Sequence, residues 1–182
     1  MSVLSNQRHN EVLNSLSRLV TRTRDLQEIY KTSADFLNEM EHVDMVMIYV
    51  VDEDTNQAVL EAHRNVSQDY LARASRVNRP KGITWRVISS NQFLNVKDAQ
   101  TDEAIGPAGK ALGKHGVLGM PITLTSGGEA RGVIWLWSDT ERAFTDEEVK
   151  LLSAIGNQIA TAIAWAKQYE DRRKVWQEKF KV

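Results

Sequence analysis

The sequence predicts an α+β fold in which helices from both ends of the chain flank an antiparallel sheet. Two hairpin patterns, over residues 45–64 and 117–138, are rich in β-branched and aromatic residues. A long run from Val149 to Ala166 repeats apolar residues every three or four positions, the signature of an amphipathic helix. A second helical pattern precedes the first hairpin, so the helices bracket the strands.

Taken in order, residues 3–40 read as helix in two pieces. Leu13, Leu16 and Val20 form one stripe, and Leu26, Ile29, Phe36 and Leu37 follow after a restart at "DLQE", whose Asp25 is a cap-like start. "MVMIYVV" (45–51) and "QAVLEAHR" (57–64), separated by "DEDTN", make an antiparallel hairpin. Ser67 caps a short helix expected to run through Val77. "NRPKG" then breaks the chain before a helix near 83–90, a brief strand at "FLNV" and a helix within 101–112. Gly127-Gly128 is the turn of the second hairpin. Phe144 precedes the last helix, which Thr145 and Glu148 open with a capping box. On that helix Val149, Leu152, Ile159 and Ile163 are expected to face the sheet, while Ile155, Ala162, Trp165 and Tyr169 look elsewhere. That second set is more apolar surface than one sheet contact needs, so a homodimer through the N- and C-terminal helices is expected. The pattern continues more weakly through Trp176 and Phe180, which suggests a piece of a longer protein with an output domain.

Composition narrows the function. The 182 residues carry 23 Lys+Arg against 24 Asp+Glu, so there is no basic field of the kind that gathers nucleic acid or an anionic membrane. No run approaches the roughly 20 apolar residues of a membrane span, and the start lacks a signal-peptide pattern, so a cytoplasmic location is expected. There is no cysteine, which removes disulfides, thiolate catalysis, Cys-ligated metals and thioether-linked chromophores. "GKALGKHG" lacks the spacing of a phosphate loop, and no Ser/His/Asp set is defined by spacing alone.

Five segments in order resemble a GAF domain over about residues 25–167: "GIT" at Gly82, "LNVKDA" with Asp98, "GVLGMPI" ending at Ile122, "GVIWLWS" from Gly132, and "FTDEEVKLLSAIGNQIATAI" from Phe144. The resemblance implies a central antiparallel sheet of five to six strands, terminal helices packed on one face and a small-molecule pocket on the other. It divides the chain into an N-terminal helix (1–24), the GAF domain (25–167) and a helical extension (168–182). It also implies a sensory role in signal transduction, although fold alone leaves the ligand open.

The free methionine-(R)-sulfoxide reductases share this fold and work through cysteines, which this chain lacks. Their "GVLDIDS" strand is similar to residues 132–138, and its two pocket aspartates fall on Trp135 and Trp137. These indoles either fill the pocket or stack on an apolar ligand. Trp135 and Trp137 are expected on the pocket face, with Ile134 and Leu136 toward the helices. The other ligand-binding candidates are Trp85, Asp98, Val117 and Met120, and Asp98 also reads as an Asx turn or a helix cap. The resemblance to cyclic-nucleotide-binding members fails at Ser138 and Asp139, and the shortened spacing after Phe144 makes Asp146 and Glu147 helix-start charges. His63 and His115 are weighed as haem ligands, but neither has metal-site spacing, so no cofactor and no metal are expected. His9 and His42 sit on polar helical ground, and Lys110 and Lys114 are surface lysines that could meet an anion at the pocket mouth. The expectation is a non-catalytic sensor, with a dimerising scaffold whose pocket has collapsed as the alternative.

Overall fold

Strands that are buried at odd and even positions alike must be covered on both faces, and two segments of this chain have that character over residues 45–51 and 132–137. β1 (Met45–Asp52) and β6 (Ala130–Trp137) pair antiparallel in the middle of the sheet. β2 (Gln57–Arg64) and β3 (Arg76–Asn78) extend the β1 side, and β5 (Val117–Thr123) and β4 (Leu94–Val96) extend the β6 side. The resulting six-stranded antiparallel sheet has the order β3-β2-β1-β6-β5-β4. The computed structural model describes residues 10, 11, 13–18, 22–124 and 128–179.

Period-two alternation sorts the side chains into two layers. Val46, Ile48 and Val50 of β1, Ile134 and Leu136 of β6, and Leu118, Met120 and Ile122 of β5 point one way. They meet α1 (Leu26–Asn38) and α5 (Asp146–Lys179), together with Leu16 from the helical residues 13–18. Met45, Met47, Tyr49, Val133, Trp135, Trp137 and Val117 point the other way. Their cover is α3 (Gly82–Ser90), α4 (Pro107–Lys110) and the loops beside them, while α2 (Gln68–Ala74) sits at the edge of this layer through Tyr70.

Local chemistry sets the helix ends. The Asp25 carboxylate accepts from the backbone N–H groups of Gln27 and Glu28 and starts α1. At α5 the Glu148 N–H donates to Thr145 Oγ1 at 3.3 Å, and the Glu148 carboxylate accepts from the Thr145 N–H at 2.7 Å, so the capping box forms. Arg142 donates to the same carboxylate at 2.6 Å, and these donors hold Glu148 below the usual glutamate range against the opposing pull of desolvation.

Four expectations are corrected. α2 ends at Ala74 rather than Val77, because Val77 is taken into β3 opposite Ala58. The helix expected within 101–112 shrinks to Pro107–Lys110, because the Asp98 and Asp102 side chains accept from N–H groups two residues on and hold the chain in turns. Ile155 is fully buried against the sheet with Leu152, Ile159 and Ile163, since the inward stripe of α5 runs through 152, 155, 159 and 163. Of the helix read over 3–40, residues 22–25 are not helical, and residues 3–9 lie outside the described residues. Gly127 of the second hairpin's turn and the last three residues, Phe180 included, lie outside them as well. Among the described residues no helix is long and apolar enough to cross a membrane.

Gly132 permits the closest backbone approach in the sheet. A Cβ there would collide with the Tyr49 carbonyl oxygen and lie 3.1 Å from Ile122 Cδ1. Gly132→Ala is therefore expected to lose about 1–3 kcal/mol. Urea unfolding followed by circular dichroism should show a lower midpoint at unchanged slope; an unchanged midpoint would refute the close approach.

Candidate functional site

On the face turned away from α1 and α5, aromatic side chains occupy the space above β1 and β6. Tyr49 is 0%, Trp135 1%, Trp137 2% and Trp85 3% exposed. The Trp135 and Trp137 ring centroids are 6.2 Å apart with planes tilted by 42°. Trp135 can lie flat on the sheet because its neighbour on β5 is Gly119, where a Cβ would come within 2.5 Å of the indole. Alternation along β6 puts both indoles on this face, with Ile134 and Leu136 against the helices.

Most polar atoms of these rings are satisfied inside the layer. Trp135 Nε1 donates to Thr84 Oγ1 at 3.3 Å, Trp85 Nε1 to the Val77 carbonyl at 2.8 Å, and the Tyr49 hydroxyl to the Ala74 carbonyl at 2.7 Å. Burial holds the Tyr49 phenol far above its ordinary range, with the Tyr70 hydroxyl adding to the effect. The Arg79 guanidinium sits 5.4 Å from the Trp85 ring centre. Trp137 Nε1 differs: it is a buried donor with no hydrogen-bond partner. The α4 turn lies over the Trp137 ring, whose Cη2 is 3.5 Å from where a Gly109 Cβ would stand.

The segment 98–116, between β4 and β5, closes over this face, and Asp98 ties its two ends together. One Asp98 oxygen accepts from His115 Nδ1 at 2.9 Å and from the Gln100 N–H at 3.0 Å; the other accepts from Thr101 Oγ1 at 2.9 Å. The His115 ring is the chief cause of an Asp98 pKa below the usual aspartate range, and the Gln100 N–H is second. The Gln100 amide spans the loop, donating to the Lys110 carbonyl at 3.1 Å and the Lys114 carbonyl at 2.8 Å. Because the carboxylate can only accept, His115 presents a proton at Nδ1, and 38% of its side chain is exposed. With Nδ1 used by the carboxylate, Nε2 is the ring nitrogen left for another hydrogen bond.

Of the six sequence-predicted positions, the structure gathers Trp85, Trp135, Trp137 and Val117 in one layer and sets Asp98 at its rim. Met120 is corrected: it lies on the opposite face, with its Cε 3.8 Å from the Cβ position of Gly156 on α5. Val117 and Met120 are three residues apart on one strand, and an odd separation puts them on opposite faces. His63 and His115 are not brought together, since His63 is on β2 and His115 precedes β5, with β1 and β6 between those strands. His63 titrates below the ordinary histidine range, through burial first and the Arg64 charge second. Lys114 is paired with Asp139 rather than presented to a ligand. Among the described residues, no group of three or more His, Asp or Glu side chains is placed to hold a metal ion.

The reading from sequence missed the link between Asp98 and His115. Seventeen residues separate them, and they meet only because the Ala99 N–H donates to the His115 carbonyl at 2.7 Å, prolonging the β4–β5 pairing. It also missed a groove of about 1750 Å³ along α5, lined by Arg24, Gln158, Ala162, Trp165, Tyr169 and Trp176 among others. Trp165 is 69% and Trp176 67% exposed there, and the Arg24 guanidinium lies 4.7 Å from the Tyr169 ring centre.

A curled six-stranded antiparallel sheet with terminal helices on one face and a capped aromatic layer on the other defines a class of α+β module. This chain belongs to the GAF domain family, whose model matches residues 23–164. Solved structures share the fold. The GAF domain of a phosphoenolpyruvate-protein phosphotransferase from Coxiella burnetii is 22% identical, with a TM-score of 0.77 over 90% of this chain and 96% of that one. A free methionine-R-sulfoxide reductase from Neisseria meningitidis, in complex with its substrate, is 16% identical, with a TM-score of 0.73 over 93% and 95%. A domain of a protein described as a two-component sensor histidine kinase from Sinorhizobium meliloti 1021 is 18% identical, with a TM-score of 0.66 over 82% and 98%. Comparison with curated protein sequences finds no match. The reductase corrects one expectation: the fold is also an enzyme's, so an enzymatic role for this chain stays open.

The link between Asp98 and His115 makes a pH prediction. A carboxyl whose folded pKa is depressed contributes stability above its unfolded pKa and loses it as pH falls through the folded value. His115→Ala should move the Asp98 transition up toward the ordinary aspartate range and speed amide exchange across 99–114. Carboxyl-carbon NMR titration of both proteins checks this; an unmoved Asp98 transition would show that the imidazole does not hold the carboxylate.

Proposed function

We propose that this GAF domain is an interaction module of a signal-transduction protein, pairing with a second copy of itself along the terminal helices. The observation that carries the reading is the contrast between its two sides. The layer above β1 and β6 is filled by the protein's own rings, whereas Trp165, Tyr169 and Trp176 line an open groove on α5. Large aromatic groups on one helix face mark interaction surfaces. Under this reading the chain works in the cytoplasm, and a change in helix packing passes to an output domain of a longer protein. The likeness to a sensor-kinase domain supports the setting without identifying the signal.

One observation favours a second reading. Trp137 Nε1 is a buried donor with nothing to donate to, beneath the 98–116 segment. A small flat molecule with one acceptor atom, admitted by movement of that segment, would satisfy it. Native mass spectrometry of the protein as isolated, compared with Trp137→Phe, tests this. A retained small molecule lost in the variant supports it, and an unliganded mass for both proteins counts against it.

The pairing itself is expected to appear in light scattering. At high micromolar concentration the 20.6 kDa chain should scatter as twice its mass, and Trp165→Glu with Tyr169→Glu should restore the monomer with an unchanged circular dichroism spectrum. A monomeric wild-type protein under those conditions would overturn the reading.

A further inference from the structure

We infer that the segment 98–116 is a lid fastened by charge: a proton on His115 locks it over the ring layer through Asp98, and loss of that proton loosens it. The movement is the one that the second reading above requires, but the latch stands whether or not any molecule enters.

The lid has few apolar anchors in the ring layer. They are Ala99 and Ile105, both buried, and Leu112, which is partly buried. α4 is a single short turn, and Gly106 and Gly113 flank it with open space where their side chains would stand, Gly113 in the left-handed region. Segments with few buried apolar contacts open locally before the fold as a whole gives way.

The polar ties of the lid differ in how they respond to solution. The Gln100 amide holds the Lys110 and Lys114 carbonyls, and the Asp98 carboxylate holds the Gln100 N–H and the Thr101 hydroxyl, with no group that changes charge near neutrality. The contact between Asp98 and His115 is different, because an imidazole exists in two charge states across the physiological range. With the ring neutral it is a hydrogen bond to a carboxylate. With the ring protonated it becomes an ion pair, which is the stronger arrangement. The ring first and the Gln100 N–H second hold Asp98 below the ordinary aspartate range, so the carboxylate stays ionised where histidines titrate.

No other charge competes for the ring. Among the described residues, Asp98 is the only charged group bonded to it. On the segment itself, Asp102 accepts from the Ala104 N–H and Lys114 pairs with Asp139, while Glu103 and Lys110 make no hydrogen bond or ion pair with the ring. The His115 N–H donates to the Ser138 carbonyl, at the turn after β6. On that turn Arg142 pairs with Glu148, and Glu141 with Lys97 just past β4. Asp44, behind the turn, accepts from the Asp139 N–H at 2.7 Å. The direction follows from these contacts. Protonation of the ring strengthens only the closed arrangement, so opening becomes rarer as pH falls through the His115 titration, and the latch is lost again only where Asp98 itself protonates.

Hydrogen-exchange mass spectrometry of the whole chain tests this at about pH 5.5 and about pH 8.5, with rates corrected for the intrinsic pH dependence of exchange and the His115 titration followed by NMR in the same buffers. The expected result is protection over 99–114 that falls about threefold or more from the acid to the alkaline end, centred on the His115 titration, with β1 and β6 unchanged. Asp98→Asn and His115→Gln, each with an unchanged circular dichroism spectrum, should remove the step, and His63→Gln should keep it. Protection that stays flat while the ring titrates would overturn the inference. So would a step that survives Asp98→Asn or His115→Gln, or one that vanishes with His63→Gln. Should a variant fail to fold, the wild-type comparison of the step with the ring titration decides the matter. No ligand is added, so the outcome is separate from the mass-spectrometric test of the second reading.

Discussion

The two-sided burial of β1 and β6 is the constraint on which the rest of the molecule depends. Their side chains alternate between a helix-facing set, led by Ile48, Ile134 and Leu136, and an opposite set, led by Tyr49, Trp135 and Trp137. A one-residue slip of β6 against β1 would drive two indoles into the space that α5 fills and send Ile134 and Leu136 under the 98–116 segment. Register is therefore held by volume on both sides at once. The glycines fit this scheme, Gly119 making room for the Trp135 ring and Gly132 for the β1 backbone.

Filling one face with rings changes what that face can do. A GAF sheet lined by carboxylates offers charged contacts, whereas this one offers hydrocarbon and three ring donors that are already used inside the layer. Trp137 Nε1 is the exception. The segment over it is not a loose loop: Asp98 and Gln100 close it at the base through His115 and through the carbonyls of Lys110 and Lys114. Lifting this segment off the Trp137 ring would break those polar contacts.

α5 serves two surfaces with one periodicity. Through Ala166 its inward stripe completes the core, and from Gln158 onward a neighbouring stripe lines the groove. The two run side by side between 158 and 166, where Ala166 belongs to both, one turn after Gly156 meets Met120 and Ile134. Shared residues such as Ala166 join the packing of the terminal helices to that of the sheet.

What the sequence by itself determined is whatever depends on neighbours along the chain. The β-branched runs of β1 and β5, the Asp25 cap, the box of Thr145 and Glu148, and the separation of Trp135 from Leu136 all follow from periods of two or 3.6 and from side chains reaching their own backbone. The misplacement of Met120 was avoidable on the same ground, because alternation from Val117 already put it on the other face. Only the tertiary structure decided the rest. Asp98 and His115 meet through strand pairing across seventeen residues, Val77 became strand because Ala58 was there to pair with it, and Ile155 turned inward because α5 settled with that side on the sheet. Whether two tryptophans leave a cavity depends on what Trp85, Tyr49 and the 98–116 segment bring from elsewhere. Packing is a sum over volumes that are distant in the chain, and no local period encodes it.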